Sequence, residues 1–379
     1  MAADTSIRVV LCTPGFPLSR DDSDKPFLLD HARALRDQGL EVTVVCPALA
    51  GAPSQQTIEA IRVVRTRYAP RSMQTLAATG SMYKEARGIK ALLAVPMMVA
   101  MCVAAFREAR RKPTVLYGHW WIPGGIVAAI AGSLTRQPSI VHLHGSDAAI
   151  TKGKILRMIA RQVFKRVDVR LAASCVLANW GQSISNKTFT VLPMPIRLAA
   201  PIDSSPLVQE HMVLGVGRLV PEKGFDLLLR AIGQIPQSSR PPIAIVGSGP
   251  ERDRLKTLAK KLNIDLHLPG AVPPSEMSAW YYRSHVVAVP SLREGFGMVA
   301  AEAAAAGRAV VATRVGAHSQ IVADGISGLL IEPGDVDALK QALLDIDPQW
   351  GMNGPQRVAL FKADEHGGRL KEICESLLN

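Results

Sequence analysis

The sequence predicts an α/β protein built from two Rossmann-like, doubly wound halves, and three observations carry that prediction. Short apolar, β-branched runs alternate with helical patterns along nearly the whole chain. A proline-rich interruption, VLPMPIRLAAPIDSSP at 191–206, divides the series in two. The length of 379 residues also exceeds what one core usually fills, so two units of roughly 150 to 200 residues are expected.

In the first half, strands are read at IRVVLC (7–12), EVTVVC (41–46), TVLYGH (114–119), SIVHLH (139–144) and DVRLAA (168–173). Each is short and bounded by turn residues, as buried parallel strands are. FLLDHARALRDQGL and GGIVAAIAGSLTR supply helices between them. The most apolar stretch, ALLAVPMMVAMCVAAF (91–106), has 16 residues with Pro96 inside. That falls short of the roughly 20 residues a bilayer span needs, so a packed or surface-seeking helix is expected. The second half repeats the alternation with MVLGVG (212–217), PIAIVG (242–247), DLHLPG (265–270), HVVAVP (285–290), RAVVAT (308–313) and GLLIEP (328–333). HGGRLKEICESLLN closes the chain as a helix. The expected organisation is an N-terminal domain at 1–195, a linker at 196–209, a C-terminal domain at 210–363 and a terminal helix at 364–379. Two such halves place a ligand in the cleft between the carboxyl ends of their sheets.

Composition narrows the function. Five scattered cysteines without a CxxC pair argue against a disulfide framework and a zinc site, and fit a reducing cytosol. MAADTSIRVVLCTPGF lacks the basic and long apolar regions of a secretory signal, which points to a cytoplasmic protein. The net charge of +12 concentrates in runs such as RVVRTRYAPR (62–71) and RMIARQVFKR (157–166), where helical spacing would line up one cationic face. Anionic membrane surfaces and phosphorylated substrates are the candidate partners. Aromatic residues do not interleave with these runs, so no nucleic acid is expected.

Candidate chemistry clusters at strand ends. In GVGRLVPEKGF (215–225) a strand ends in Gly217, followed by Arg218, Lys223 and a helix start. A guanidinium, an ammonium and free helix amides together suit a diphosphate. IVGSGPERDRL brings Gly247 and Gly249, a GxG pair without the acidic residue that a dinucleotide fingerprint requires, and Gly247 is expected, with Gly217, on the donor-binding side. In SLREGFGMVAAEAAAAG (291–307), Glu294 lies in the loop and Glu302 on the first turns of the helix. The amides of Gly295, Phe296, Gly297, Met298 and Val299 face an anion at that helix start. A glutamate on an alanine-rich helix is ordinary by itself. Together with the basic pair, the two carboxylates suit a nucleotide diphosphate sugar, one on ribose hydroxyls and one on sugar hydroxyls. In the first half, HLHGSD and GHWWIPGG end adjacent strands with His144 and Asp147, and with His119 and Trp120. These groups, with Gly15 in the first strand's loop, form the expected acceptor or sugar-facing side.

The motifs EGFGMVAAE, GRLVPEKG, HGSD, GxAVVATxxG and DGxSGLLxxPGD together resemble the retaining glycosyltransferases of the GT-B fold, in particular family 4. The resemblance covers nearly the whole chain and implies sugar transfer from a UDP- or GDP-linked donor, with retention and without a metal or other cofactor. It assigns Arg218 and Lys223 to the departing diphosphate, Glu294 to the donor sugar, Glu302 to the ribose, and His144 to the sugar and reaction centre. It further implies front-face attack, with the leaving phosphate accepting the acceptor's proton, and a terminal helix that crosses back to the first domain. A glycan or lipid-linked acceptor in bacterial surface polysaccharide synthesis, met at the inner face of the membrane, is expected. Lys25, Pro26 and Phe27 stand where many members carry a Gly-Gly pair, and Gln320 where a glutamate is usual. The competing expectations are a GT-B sugar-nucleotide epimerase and a non-catalytic sugar-nucleotide-binding protein.

Overall fold

A computed structural model of the chain describes residues 7–76, 88–110, 113–198 and 212–379. It divides into two compact units, Met1–Pro195 with Ala363–Asn379, and Ile196–Lys362. Of the expected linker, residues 199–209 lie outside the described residues. Ile196 belongs to the second unit, where its N–H donates to the Phe361 carbonyl at 2.7 Å.

The first unit holds β1 (Arg8–Cys12), β2 (Glu41–Pro47), β3 (Gln55–Ile58), β4 (Ile61–Thr66), β5 (Thr114–His119), β6 (Ser139–Leu143), β7 (Val169–Ala172) and β8 (Thr190–Val191). They form one sheet in the order β3-β4-β2-β1-β5-β6-β7-β8, parallel throughout except for the β3–β4 hairpin. Without β3 and β8, the order is that of a doubly wound dinucleotide fold, with its reversal between β1 and β5. Helices α1 (Pro26–Asp37), α2 (Ala94–Ala109), α3 (Ile126–Thr135), α4 (Lys154–Arg166) and α5 (Cys175–Ser185) are joined by the C-terminal helix, Ala363–Leu378. Val9, Leu11, Leu28, Leu35, Leu370 and Cys374 share one apolar cluster, so the C-terminal helix packs with α1 on one sheet face. Val10, Cys12, Leu116, Met97, Met101 and Val127 build the other, under α2 and α3.

Two expectations change here. The run at 62–71 is not helical: Ile61–Thr66 alternates buried and half-buried residues as a strand does, and pairs in parallel with β2. Its Arg65 is buried and donates to the carbonyls of Phe16 and Pro17 at 3.3 and 2.8 Å, so that charge ties a loop down instead of facing solvent. The second basic run does lie on a helix, α4. The helical stretch Ala91–Ala109 is long and apolar enough to cross a membrane, yet Met97, Met101, Ala105 and Ala109 pack onto the sheet.

The second unit contains β9 (Val213–Val216), β10 (Ile243–Val246), β11 (Leu266–Gly270), β12 (Val286–Val289), β13 (Ala309–Thr313) and β14 (Gly328–Ile331). Their order is β11-β10-β9-β12-β13-β14, again with one reversal, between β9 and β12. Helices α6 (Phe225–Gly233), α7 (Arg252–Lys261), α8 (Pro274–Arg283), α9 (Met298–Ala305) and α10 (Val336–Asp345) cover the sheet. Strands such as VVAV at β12 and AVVAT at β13 are buried at every position because both faces are covered. In an open sheet of this type, ligands bind beyond the carboxyl ends of the strands at the reversal.

Candidate functional site

The second unit's reversal is where its charged residues meet. After β9, Gly217 takes a φ of +147° and the chain passes Arg218, which is exposed, to the turn Pro221–Lys223. The loop after β12 lies directly against that turn: Leu292 N–H donates to the Glu222 carbonyl at 2.8 Å. A Cβ on Gly224 would stand 2.1 Å from the Pro290 carbonyl, so only glycine permits this approach. The Lys223 ammonium thereby reaches the Glu294 carboxylate and forms an ion pair with it. Burial pushes the Glu294 carboxyl up, but Lys223, His318 and the Ser291 hydroxyl outweigh it and hold the group below the usual carboxylate range. Ser291 donates to Glu294 Oε1 at 3.3 Å, and its own carbonyl accepts from Thr313 Oγ1 at 2.6 Å. Glu294 is thus ionised and fixed before any ligand arrives.

Gly295 and Phe296 lead into α9, whose N-cap Gly297 has a φ of +103° and no side-chain cap. The first amides of α9, at Met298 and Val299, therefore face the loop without a capping side chain. Phe296 is buried and packs edge-on to Phe361 at 5.4 Å, so this residue contributes its backbone while its ring anchors the loop. On the next turn, Glu302 Oε2 accepts from the Tyr281 hydroxyl at 2.6 Å. Tyr281 is fully buried, and burial with the Glu302 charge keeps its phenol protonated as a permanent donor.

Two supporting residues escaped the sequence reading. One is Tyr281. The other is His318, whose Nδ1–H donates to the Thr313 carbonyl at 2.8 Å. That tautomer leaves Nε2 as a buried acceptor without a hydrogen-bond partner, 2.6 Å from where a Cβ on Gly297 would stand. The signal available was the run GAHSQ after a strand; its contact with the Glu294 loop crosses elements and leaves no local pattern.

Gly247 and Gly249 have a different task from a nucleotide fingerprint. Their loop packs flat on the loop that carries Arg218: Gly217 N–H donates to the Val246 carbonyl at 2.9 Å and Leu219 N–H to the Ser248 carbonyl at 2.8 Å. A Cβ on Gly247 would lie 1.8 Å from the Gly217 carbonyl oxygen.

In the first unit, the residues expected to face an acceptor separate into a rim and a buried layer. Trp120, held in the left-handed region at φ +59°, is half-buried, with its ring 4.8 Å from that of His144 and 6.1 Å from that of Phe27. Gly15 lies beside the Lys25 side chain, and a Cβ there would stand 3.3 Å from the Lys25 ammonium. A lysine therefore occupies the turn where a Gly-Gly pair was the family expectation. His119 and Asp147, by contrast, are fully buried. His119 Nδ1 lies 2.8 Å from His144 Nε2. Asp147 accepts the backbone N–H of Trp121 at 2.8 Å and of His144 at 2.7 Å, fixing both strand-end loops. Burial pushes the Asp147 carboxyl up to about 6, against the pull of the amides that bond it. Burial likewise holds His144 down at about 3, so its imidazole is neutral.

The comparisons with known proteins cover both units. The family model described as glycosyl transferases group 1 matches residues 203–347, and that of a glycosyl transferase 4-like domain matches 26–180. A D-inositol 3-phosphate glycosyltransferase of Catenulispora acidiphila is 31% identical over 304 residues, 69% of each chain. A putative teichuronic acid biosynthesis glycosyltransferase of Bacillus subtilis is 26% identical across 89% of this chain and 88% of its own. An uncharacterized glycosyltransferase of Methanocaldococcus jannaschii is 30% identical over 61% of this chain, and the match spans 65% of that relative. Among solved structures, sucrose-phosphate synthase from Thermosynechococcus elongatus superposes with a TM-score of 0.77 at 21% identity, covering 98% of both chains. Anabaena HepE, solved in complex with UDP, gives 0.73 at 19% identity, covering 97% of this chain and 100% of its own. The structural likeness shows the GT-B fold.

Proposed function

Because the chain belongs to the group 1 glycosyltransferases, we propose that it transfers a sugar from a nucleoside diphosphate sugar, with retention at the anomeric carbon, to a glycan or lipid-linked acceptor. The observation that carries this reading is the Lys223–Glu294 pair at the sheet reversal of the second unit, beside the uncapped start of α9. Lys223, Arg218 and the amides of Gly295 to Val299 take the diphosphate, where negative charge grows as the glycosidic bond breaks. Glu294 accepts from sugar hydroxyls, and Glu302, braced by Tyr281, accepts from the ribose. The leaving phosphate takes the acceptor's proton as the new bond forms on the same face. HepE, whose structures hold UDP and UDP-glucose, supports a donor of that class.

A panel of UDP-, GDP- and ADP-sugars tests the reading through thermal stabilisation. A ligand at about 100 times its Kd adds about 2.7 kcal/mol to the folded state, enough to raise the unfolding midpoint by several degrees. One nucleotide class is expected to stabilise the wild type and to lose that effect in Glu302→Ala. Stabilisation that survives the substitution would remove Glu302 from the donor site, and none with any sugar nucleotide would remove the donor site itself.

We also propose that the first unit works at an anionic membrane. Among the described residues, 17 large apolar side chains stand exposed, and nine of them sit on α2, the turn before it, α3 and α4. Leu92 and Val95 are 72% and 68% exposed, and Ile155 on α4 is 71% exposed. These helices cover one sheet face in sequence: α2 packs on α3, and Val163 of α4 approaches the Gly125 turn that starts α3. The exposed Lys154, Arg157, Arg161, Lys165 and Arg166 of α4 add a cationic margin. Binding to vesicles rich in anionic lipid should weaken steeply as salt rises from about 0.1 M to 1 M, where the Debye length falls from about 10 to 3 Å. Salt-independent binding, or none, would remove the membrane from the reading.

A further inference from the structure

We propose that His318 is a positioning residue of the donor site whose protonation follows occupancy: a neutral imidazole beside the start of α9 in the free protein, an imidazolium once a nucleoside diphosphate sugar is bound. The inference deepens the sugar-transfer reading and rests on it.

The fold brings this ring to the site on a third loop. After β13, Gly316 takes a φ of +57°, and a Cβ there would stand 2.8 Å from the Glu294 carbonyl oxygen. Ala317 N–H donates to the Phe296 carbonyl at 3.3 Å, so the loop after β13 lies against the loop that carries Glu294. His318 then opens the helical turn His318–Ile321 and is fully buried. Its Nδ1–H is committed to the Thr313 carbonyl, which can only accept. Nε2 therefore carries the lone pair, and it lies against Gly297, the N-cap of α9.

Two observations meet at that point. The first amides of α9 have no capping side chain, and His318 Nε2 is buried without a hydrogen-bond partner. A buried acceptor left unmatched is costly, and an apolar side chain would fill the space beside Gly297 without that cost. Packing alone gives no reason for the lone pair; a bound anion does. Glu294, on the loop after β12, and the Thr313 carbonyl, at the end of β13, favour the imidazolium. Burial, first, and Lys223, on the turn before α6, oppose it, and they hold the free ring below the ordinary histidine range. From α9 the ring meets the positive end of the helix dipole, with no charged side chain in its first turn. The negative charge of a diphosphate offsets both Lys223 and that dipole, while Glu294 keeps its charge. Nε2 then takes a proton from solvent, Nδ1–H stays on Thr313, and the site gains a cation beside the diphosphate.

A histidine whose pKa is higher in the bound state tightens binding fully below its free value, and the gain is lost as pH rises through the bound value. Calorimetry of the full-length protein with UDP-glucose, GDP-mannose and ADP-glucose, each titrated in PIPES and in Tris at pH 7, reads the proton uptake, since these ligands keep one charge state there. The nucleotide sugar that binds should bring in at least about half a proton and bind about tenfold more tightly at pH 6 than at pH 8. His318→Asn keeps a donor for the Thr313 carbonyl but cannot take the proton: uptake should vanish, and its affinity should stay level with pH and meet that of the wild type near about pH 8. His267→Asn, at an exposed histidine, should change neither. If His318→Asn does not fold, NMR of wild-type protein with ¹⁵N-labelled histidine rings decides, because one buried ring should pass to imidazolium as the ligand is added. Binding without proton uptake, uptake that survives His318→Asn, or no ring that changes overturns the proposal and leaves the donor site standing. No binding by any of the three overturns the donor site and this proposal with it.

Discussion

Lys223→Ala should lower the turnover number by about two orders of magnitude or more, because in the proposed reaction it removes the preorganised cation nearest the developing diphosphate charge. The structure sharpens this expectation. Lys223 does not wait in solvent; its ammonium is already paired with Glu294 in a half-buried corner. The substitution therefore also leaves the Glu294 carboxylate with only the Ser291 hydroxyl and His318 to oppose its burial. Glu294 is held below its ordinary range in the folded protein, so its contribution to stability is present above the unfolded value and is lost as pH falls through the folded one. With Lys223 gone, the largest cause of the lowering is gone, and this acid-dependent part of the stability should shrink. Two readouts separate chemistry from folding: steady-state turnover well below the unfolding midpoint, and the midpoint itself from neutral pH to about pH 4. Near-normal turnover in a folded variant would remove Lys223 from the reaction.

The parts of this architecture that were readable from sequence are those encoded locally. Runs such as VVAVP and AVVAT form strands because a parallel strand covered on both faces needs uninterrupted apolar residues, and that leaves a plain signature. Lys223 and Glu294 were readable for a related reason, since each lies within a few residues of a strand end. β4 has no such plain signature: IRVVRT alternates, but its arginines also fit a charged helix face, and burial of Arg65 against two carbonyls depends on a loop almost 50 residues earlier. His119 and Asp147 illustrate the converse. A strand-end position says that a residue is near the site, but which way its side chain turns is set by partners elsewhere, here His144 and the Trp121 amide. Contacts such as His31 with His366, 335 residues apart, had no local signature at all.

Gly247→Ala should cost the second unit several kcal/mol and weaken donor binding at least about tenfold, although this residue carries no functional group. Two penalties combine. The φ of +146° is one that L side chains rarely adopt, worth about 1–3 kcal/mol of strain. The new methyl would also lie 1.8 Å from the Gly217 carbonyl oxygen, a backbone atom that cannot swing aside. Relief requires the two loops to part, breaking the bonds from Gly217 to Val246 and from Leu219 to Ser248 and shifting Arg218 between them. Gly334→Ala provides the comparison, since Gly334 has a φ of +91° with no heavy atom within 4 Å of the added carbon. It should show the strain without the displacement: a modest fall in unfolding midpoint and unchanged affinity for the donor. If the two variants behave alike, the close approach of these loops is not what positions Arg218. If Gly247→Ala alone loses the donor, the GxG pair works by bringing two strand-end loops into register, and the phosphates are held by the loop that it braces.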